Sequence, residues 1–402
     1  MNDKPLDGPP RIPAPDRPYD PPPVYEELRA NRPLCPVKLS DGSSALLATS
    51  YDAVRSVLGD RRFSGDVTRP GFPIEGHIGG RVDVFAKSLI RRDEPEHSRL
   101  RKVVANEFRP ARIEELAGMM REIVDDCLVD VRKAARPVDL VALFTLEVPS
   151  RIICRFLGID ETIRPEIKRL ALSAGEKSVP HQKHALEKLA DKLSDHLSAM
   201  RADADSQKLF PKLLAAVERS EITREELVSM AVLLALGGHE TTANTLALGI
   251  SRILCDRELY DKLVREPDQL PGAVEEIVRI TSVVRAGPRR VAVDDVEVCG
   301  RQIPKGTGVI LALHSANYDQ KFTSDPETFQ IGRERARSHM AFGFGLHQCL
   351  GQFLARQELL IALQALLSGF KNLRLETPTQ NLEFHGEAGI YGLKELRVSW
   401  SE

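Results

Sequence analysis

The run Phe342-Gly343-Phe344-Gly345-Leu346-His347-Gln348-Cys349-Leu350-Gly351 sets a lone thiol at the mouth of a glycine-kinked turn, directly before a helical pattern over residues 350–370. A thiolate metal ligand needs backbone N–H groups aimed at its sulfur, and glycines at 343, 345 and 351 let the chain approach with no Cβ in the way. Phe342 is placed to shield the sulfur from water. The N-terminus of the following helix lies beside Cys349, where its dipole favours the ionised form. The loop reads as a metal–thiolate site; the bland alternative is a buried structural cysteine after a glycine-rich turn.

Three more segments bear on that choice. Glu276 and Arg279 lie three apart in an expected helix over residues 271–280 and can pair across one face. Gly237-Gly238-His239-Glu240-Thr241-Thr242 falls in the middle of a long helical pattern that Thr223 and Glu226 open as a capping box and that continues to about Leu254. Two glycines inside such a helix cost roughly 1–2 kcal/mol relative to alanine, so a function should justify them. Thr241 lies four residues after Gly237, so its hydroxyl can bond that carbonyl and open a kink. His97 and Arg101, in a helix expected to run to about Phe108, are also four apart on one face.

Phe342, Gly345, His347, Cys349 and Gly351 resemble the haem-binding signature of the cytochrome P-450 monooxygenases, and the other segments resemble family motifs in order and spacing. The resemblance covers nearly the whole chain and extends to the soluble, bacterial, actinobacterial type. It implies a mainly α fold with a small β-rich lobe, the haem lying between the long central helix and the Cys-ligand loop and its helix. It implies haem b with Cys349 as the iron ligand, Phe342, Gly345 and Gly351 shaping its loop, and His97, Arg101, Arg290 and His347 on the propionates, for which paired guanidinium donors suit carboxylates. Glu276 and Arg279 would lock to Arg333, and Thr241 with Glu240 would activate oxygen, chemistry that consumes two protons and so needs a hydroxyl and an acid. His239 fills a variable position and is not expected to be a ligand. By the same resemblance the substrate wall takes Leu233, Leu236, Gly237, Val283, Val284 and Ala286, with residues 64–91 and a stretch near residues 174–184. Arg69-Pro70-Gly71-Phe72-Pro73 marks the first of these as a lid. Arg285 stands where similar proteins often carry a neutral residue; contact with a substrate carboxylate and exposure to solvent both suit it, the second better.

The 402 residues carry a formal charge of −2, which gives no electrostatic case for nucleic acid. Residues 1–23 hold nine prolines and no apolar run, so they read as an extended arm, with a single catalytic domain over 24–402 organised by the haem. No segment reaches the ~18 apolar residues of a membrane span. Cysteines at 35, 127, 154, 255, 299 and 349 lack paired spacing and are expected to be reduced, as in a cytoplasmic monomer. Hairpins are expected at residues 37–48 and 382–400, the second dropping its turn near residues 386–391 into the pocket, with further strands over 291–313 and helices throughout 110–280.

The expected activity is insertion of one atom of O2 into a small apolar substrate by hydroxylation or epoxidation, the substrate being a secondary metabolite such as a terpenoid or macrolide. The chain has no flavin or nicotinamide motif, so electrons from NAD(P)H must arrive through a separate ferredoxin and ferredoxin reductase, docked on Arg99, Lys102, Arg109 and Arg112. Rival readings are a nitric oxide reductase of the same fold, a peroxygenase, and a non-catalytic haem sensor or carrier.

Overall fold

The computed structural model describes residues 4–11, 13–74, 82–174, 179–285, 287–386 and 389–401. Helices dominate the described residues, and the largest apolar core lies among helices Ala117–Lys133, Glu147–Leu157, Arg224–Gly237, Glu240–Leu254, Leu270–Thr281 and Gln352–Gly369. A second core fills the space between helix Tyr51–Gly59 and a six-stranded sheet. In spatial order that sheet runs Leu6–Asp7, Leu34–Lys38, Ser44–Ala48, Gly308–Leu311, Arg289–Ala292 and Phe63–Ser64. The alternation in Val37-Lys38-Leu39 and Ala45-Leu46-Leu47-Ala48 produces an antiparallel hairpin, with Val37 opposite Ala45. The expected helical middle is interrupted by Val138–Asp139, which pairs antiparallel with Arg397 and Val398 of the last strand. A two-residue strand is too short to show a period in sequence.

The N-terminal arm is fastened to the body. Leu6 and Asp7 pair parallel with Val37 and Lys38, and the Tyr25 hydroxyl donates to the Pro10 carbonyl at 2.9 Å.

Helix Arg224–Gly237 begins with the expected capping box, Thr223 Oγ1 accepting from Glu226 N and Glu226 accepting from Thr223 N. The expected single helix is in fact two, the second being Glu240–Leu254. His239, at φ −99° and ψ −68°, marks the break, and Thr241 Oγ1 donates to Gly237 O at 2.8 Å, the bond expected from their spacing. The two glycines have different reasons. A Cβ on Gly238 would lie 2.6 Å from Ile153 Cδ1, whereas Gly237 has open space beside it.

Helix Leu270–Thr281 carries adjacent carboxylates that reach in different directions. Glu276 accepts from Arg279 through both oxygens at 2.8 Å, from Arg333 Nε at 2.8 Å and from the Gln330 amide at 3.0 Å. Arg279 also donates to Asn317 O, while Asn317 Oδ1 accepts from the Met340 amide at 2.6 Å. Glu275 accepts from Arg356 at 2.7 and 3.0 Å and contacts His339 Nε2 at 3.3 Å. Together they fix residues 330–340 and the first turns of helix Gln352–Gly369, the two segments that enclose Cys349.

The His339 and Arg356 partners hold Glu275 down from 4.5 to about 2 against the opposing effect of burial. The folded state therefore binds fewer protons than the unfolded chain; the resulting stabilisation, about 3 kcal/mol, is complete above pH ~5 and is lost as pH falls toward 2. Urea unfolding of Glu275→Gln should show that loss at pH 7 and a flatter acid limb than the parent; a parallel acid limb would contradict this account.

Candidate active site

The cysteine loop is shaped by local sterics. Gly345 has φ +71°, and a Cβ there would sit 2.3 Å from the Leu58 carbonyl, so the end of helix Tyr51–Gly59 packs directly on the loop. The Cys349 amide donates to Phe342 O at 2.8 Å, closing the turn, and the Gly351 N–H bonds the sulfur. Gly351 has open space at its Cβ position, so of the three glycines it is Gly345 that the surroundings require. Phe342 lines the cavity, its ring 4.5 Å from the Arg356 guanidinium. Burial pushes the Cys349 thiol up, opposed by the Gly351 N–H, Arg101 and Arg356. The helix dipole expected to ionise this sulfur is outweighed by desolvation, and coordination to a metal would supply the ionisation.

Cys349 opens onto a cavity that lies between helices Arg224–Gly237 and Glu240–Leu254 on one side and its own loop and helix on the other. Leu233, Gly237, Val283 and Val284 line it as expected, with Leu89 and Ile90 from the 64–91 segment. Leu236 does not line the cavity, where Leu234 lies instead. Leu236 is one residue from Gly237, about 100° around the helix, and packs into the helical core. Ala286 and residues 175–178 lie outside the described residues, and no described residue of 174–184 reaches the cavity. Nor does any described residue of 382–393; Ile390 bridges to Val284, so this hairpin backs the wall. In the Arg69–Pro73 element Phe72 is buried with Val67 and Val291, and Arg69 reaches Asp93 at 3.3 Å.

At one edge of the cavity basic groups gather. His97 is fully buried, its ring centroid 4.5 Å from that of His347, and among the described residues neither ring nitrogen of His97 nor Nδ1 of His347 has a partner. Arg290 is buried, its Nη1 donating to Arg289 O at 2.7 Å; Arg101 donates to the carbonyls of Leu346 and Gln348 at 3.2 and 3.0 Å. Burial, Arg290 and His97 pull His347 down to about 2, and burial with Arg91 pulls Arg290 to about 10. Two guanidinium cations beside two imidazoles with unpartnered ring nitrogens call for an anion, and the two carboxylates on the edge of a haem would satisfy this set, so the residues present fit the group.

Sequence reasoning missed several residues. Arg91 joins the basic group, a role hidden by its place in a run of surface arginines. Asp93 accepts from Ser64 Oγ at 2.5 Å and Gly65 N at 2.9 Å, holding Gly65 against His347. Glu358 lines the cavity fully buried, with Oε2 unpartnered among the described residues, and desolvation raises it well above the ordinary carboxyl range. An acid at an inward position of the leucine-rich helix was the signal available. His239 is buried beside Lys168, Glu147 and Arg164 and pulled to about 4. Arg285, expected at the surface, is buried at 7% exposure.

The cavity defines a class: enzymes that hold haem iron through one cysteine thiolate. The family model for Cytochrome P450 matches residues 163–393. Cytochrome P450-SU2 of Streptomyces griseolus is 36% identical over 393 residues, 96% of this chain and 95% of that protein. Pentalenic acid synthase of Streptomyces avermitilis is 37% identical over 387 residues, 95% of each chain. The solved structure of the mycinamicin VIII C21 methyl hydroxylase MycCI from Micromonospora griseorubida, bound to mycinamicin VIII, matches with a TM-score of 0.91 and 32% identity, covering 98% of this chain and 100% of that one. The chain belongs to the cytochrome P450 family, and it is a haem-thiolate monooxygenase of the actinobacterial type. None of its described helices is long and apolar enough to cross a membrane.

Proposed function

We propose that Cys349 ligates haem iron in this cavity and that the enzyme inserts one oxygen atom from O2 into a C–H or C=C bond of an apolar secondary metabolite. The observation that carries this reading is that Cys349 and the Thr241 break line a single cavity from opposite sides. His97, Arg101, Arg290 and His347 hold the propionates, and Phe342, Gly345 and Gly351 set the loop. The bound haem supplies reductive activation of dioxygen. Overall, substrate, O2, two electrons and two protons give oxygenated product and water.

Thr241 holds water and passes protons into the cavity from Glu240. Leu89, Ile90, Ile153, Leu233, Leu234, Val283 and Val284 present aliphatic surface, which selects hydrocarbon skeletons such as terpenoids or macrolides. The MycCI relative, which hydroxylates a methyl group, supports a C–H target. Peroxide-driven turnover and nitric oxide reduction leave the Thr241–Glu240 pair unexplained, and a haem carrier leaves it idle.

Electrons come from NAD(P)H through a ferredoxin reductase and an acidic ferredoxin in the cytoplasm. Two arginines of the expected docking set are already engaged, Arg99 with Glu226 and Arg112 with Glu107 and Glu115. Lys102 and Arg109 stay exposed. Arg109 directly precedes Pro110, which lines a groove that also carries Arg337 and the exposed Phe353, four residues beyond Cys349. Reversing Lys102 and Arg109 to Glu should slow reduction by ferredoxin at low salt and erase its salt dependence; unchanged kinetics would refute this docking face.

Thr241→Ala should keep haem and oxygen consumption yet release peroxide, cutting product per electron pair on the order of tenfold. The assay compares peroxide with product, using a compound that drives the ferric iron to high spin. Unchanged coupling would show that another hydroxyl does the work.

A further inference from the structure

Val283 and Val284 line the cavity, but their position is fixed from behind. Val284 bridges to Ile390, the Tyr391 amide donates to Val283 O at 2.8 Å, and the Arg285 amide donates to Gly389 O at 2.9 Å. The side chain of Arg285 runs away from the cavity. It donates to Asp20 O at 3.3 Å, Tyr19 O at 3.4 Å and Thr281 O at 3.3 Å, and its guanidinium lies 4.4 Å from the Tyr391 ring centroid. Tyr391 stacks on Phe384 at 5.4 Å and 4°, and Phe384 meets the Tyr19 ring edge-on at 6.4 Å. Tyr19 in turn shares a 2.8 Å hydroxyl contact with Ser251 at the end of helix Glu240–Leu254, and Asp20 accepts from the Tyr318 hydroxyl at 3.1 Å.

We infer that Arg285 is a positioning residue for the substrate-facing wall, and that the N-terminal arm is the part that holds it there. The inference rests on the monooxygenase reading for its consequence, the choice of substrate and of the atom oxidised. Among the described residues no carboxylate hydrogen-bonds this buried cation; carbonyl oxygens do, and two of the three come from the arm. A buried cation stripped of its acceptors must move to recover water. Without the arm, Arg285 keeps Thr281 O alone, and residues 283–285 must shift together with the hairpin bonded to them. The arm therefore reaches the pocket without touching it.

Two variants test this, deletion of residues 1–20 and Arg285→Gln, each compared with Tyr19→Phe, which keeps the backbone carbonyl that Arg285 uses. The first readout, hydrogen exchange of the Tyr391 amide, needs no haem; it should quicken on the order of tenfold in both variants and stay at the parental rate in Tyr19→Phe. The second is spectral titration of the haem-loaded protein with imidazole and with 4-phenylimidazole. The bulky ligand should change affinity on the order of tenfold while imidazole stays within about twofold, because only the former reaches the wall. Should the deletion fail to fold, Arg285→Gln carries the test alone. Parental exchange at Tyr391, or equal weakening of both ligands, would overturn the inference. A parent that shows no iron–imidazole spectrum would refute the monooxygenase reading, and the exchange measurement would still decide the role of Arg285.

Discussion

The buried cluster around Glu276 is the interaction on which the rest depends. Glu276, Arg279 and Arg333 are almost wholly buried, and such a set is weak evidence of net stability because desolvation offsets most of the attraction. Its effect is on specificity. Losing one member would strand the others in the interior, at a cost of about 3–5 kcal/mol, so the chain between residues 330 and 340 has one acceptable path. Glu275 does the same for Arg356 and His339. Cys349 lies between these anchored segments, and its loop closes through the bond from its own amide to Phe342 O.

Across the cavity the constraint is reversed, and a regular helix is interrupted. Gly238 lets the helix pass close to Ile153, and the Thr241 hydroxyl takes the Gly237 carbonyl. The same contact that locates the break leaves Thr241 at the cavity surface. The edge formed by His97, Arg101, Arg290 and His347 is a third constraint, unfavourable alone and of the kind that the anionic edge of a cofactor would satisfy.

Much of this was legible in the sequence where a motif coincides with a local rule. The capping box at Thr223, the Thr241–Gly237 bond and the Glu276–Arg279 pair each follow from helical spacing, and the family resemblance named Arg333 as the partner of Glu276 and named together His97, Arg101, Arg290 and His347, which the fold gathers at one edge of the cavity. What escaped depends on tertiary packing. Whether Leu234 or Leu236 faces the cavity turns on helix rotation about a break whose position periodicity does not set. Arg285 looked solvent-exposed because nothing in its neighbourhood shows that a segment some 265 residues earlier returns to cover it. Asp93 acts through contacts across elements, Glu358 is buried by tertiary packing, and burial raises the Cys349 thiol, a cost the helix-dipole argument leaves out.

The central claim, that Cys349 holds haem iron as a thiolate, is tested most directly by the absorption spectrum of the dithionite-reduced protein under carbon monoxide. The account predicts the strongly red-shifted Soret band of a thiolate ligand, lost in Cys349→Ala. A folded protein that binds no haem, or one whose native state gives the shorter-wavelength band of a neutral ligand, would contradict it.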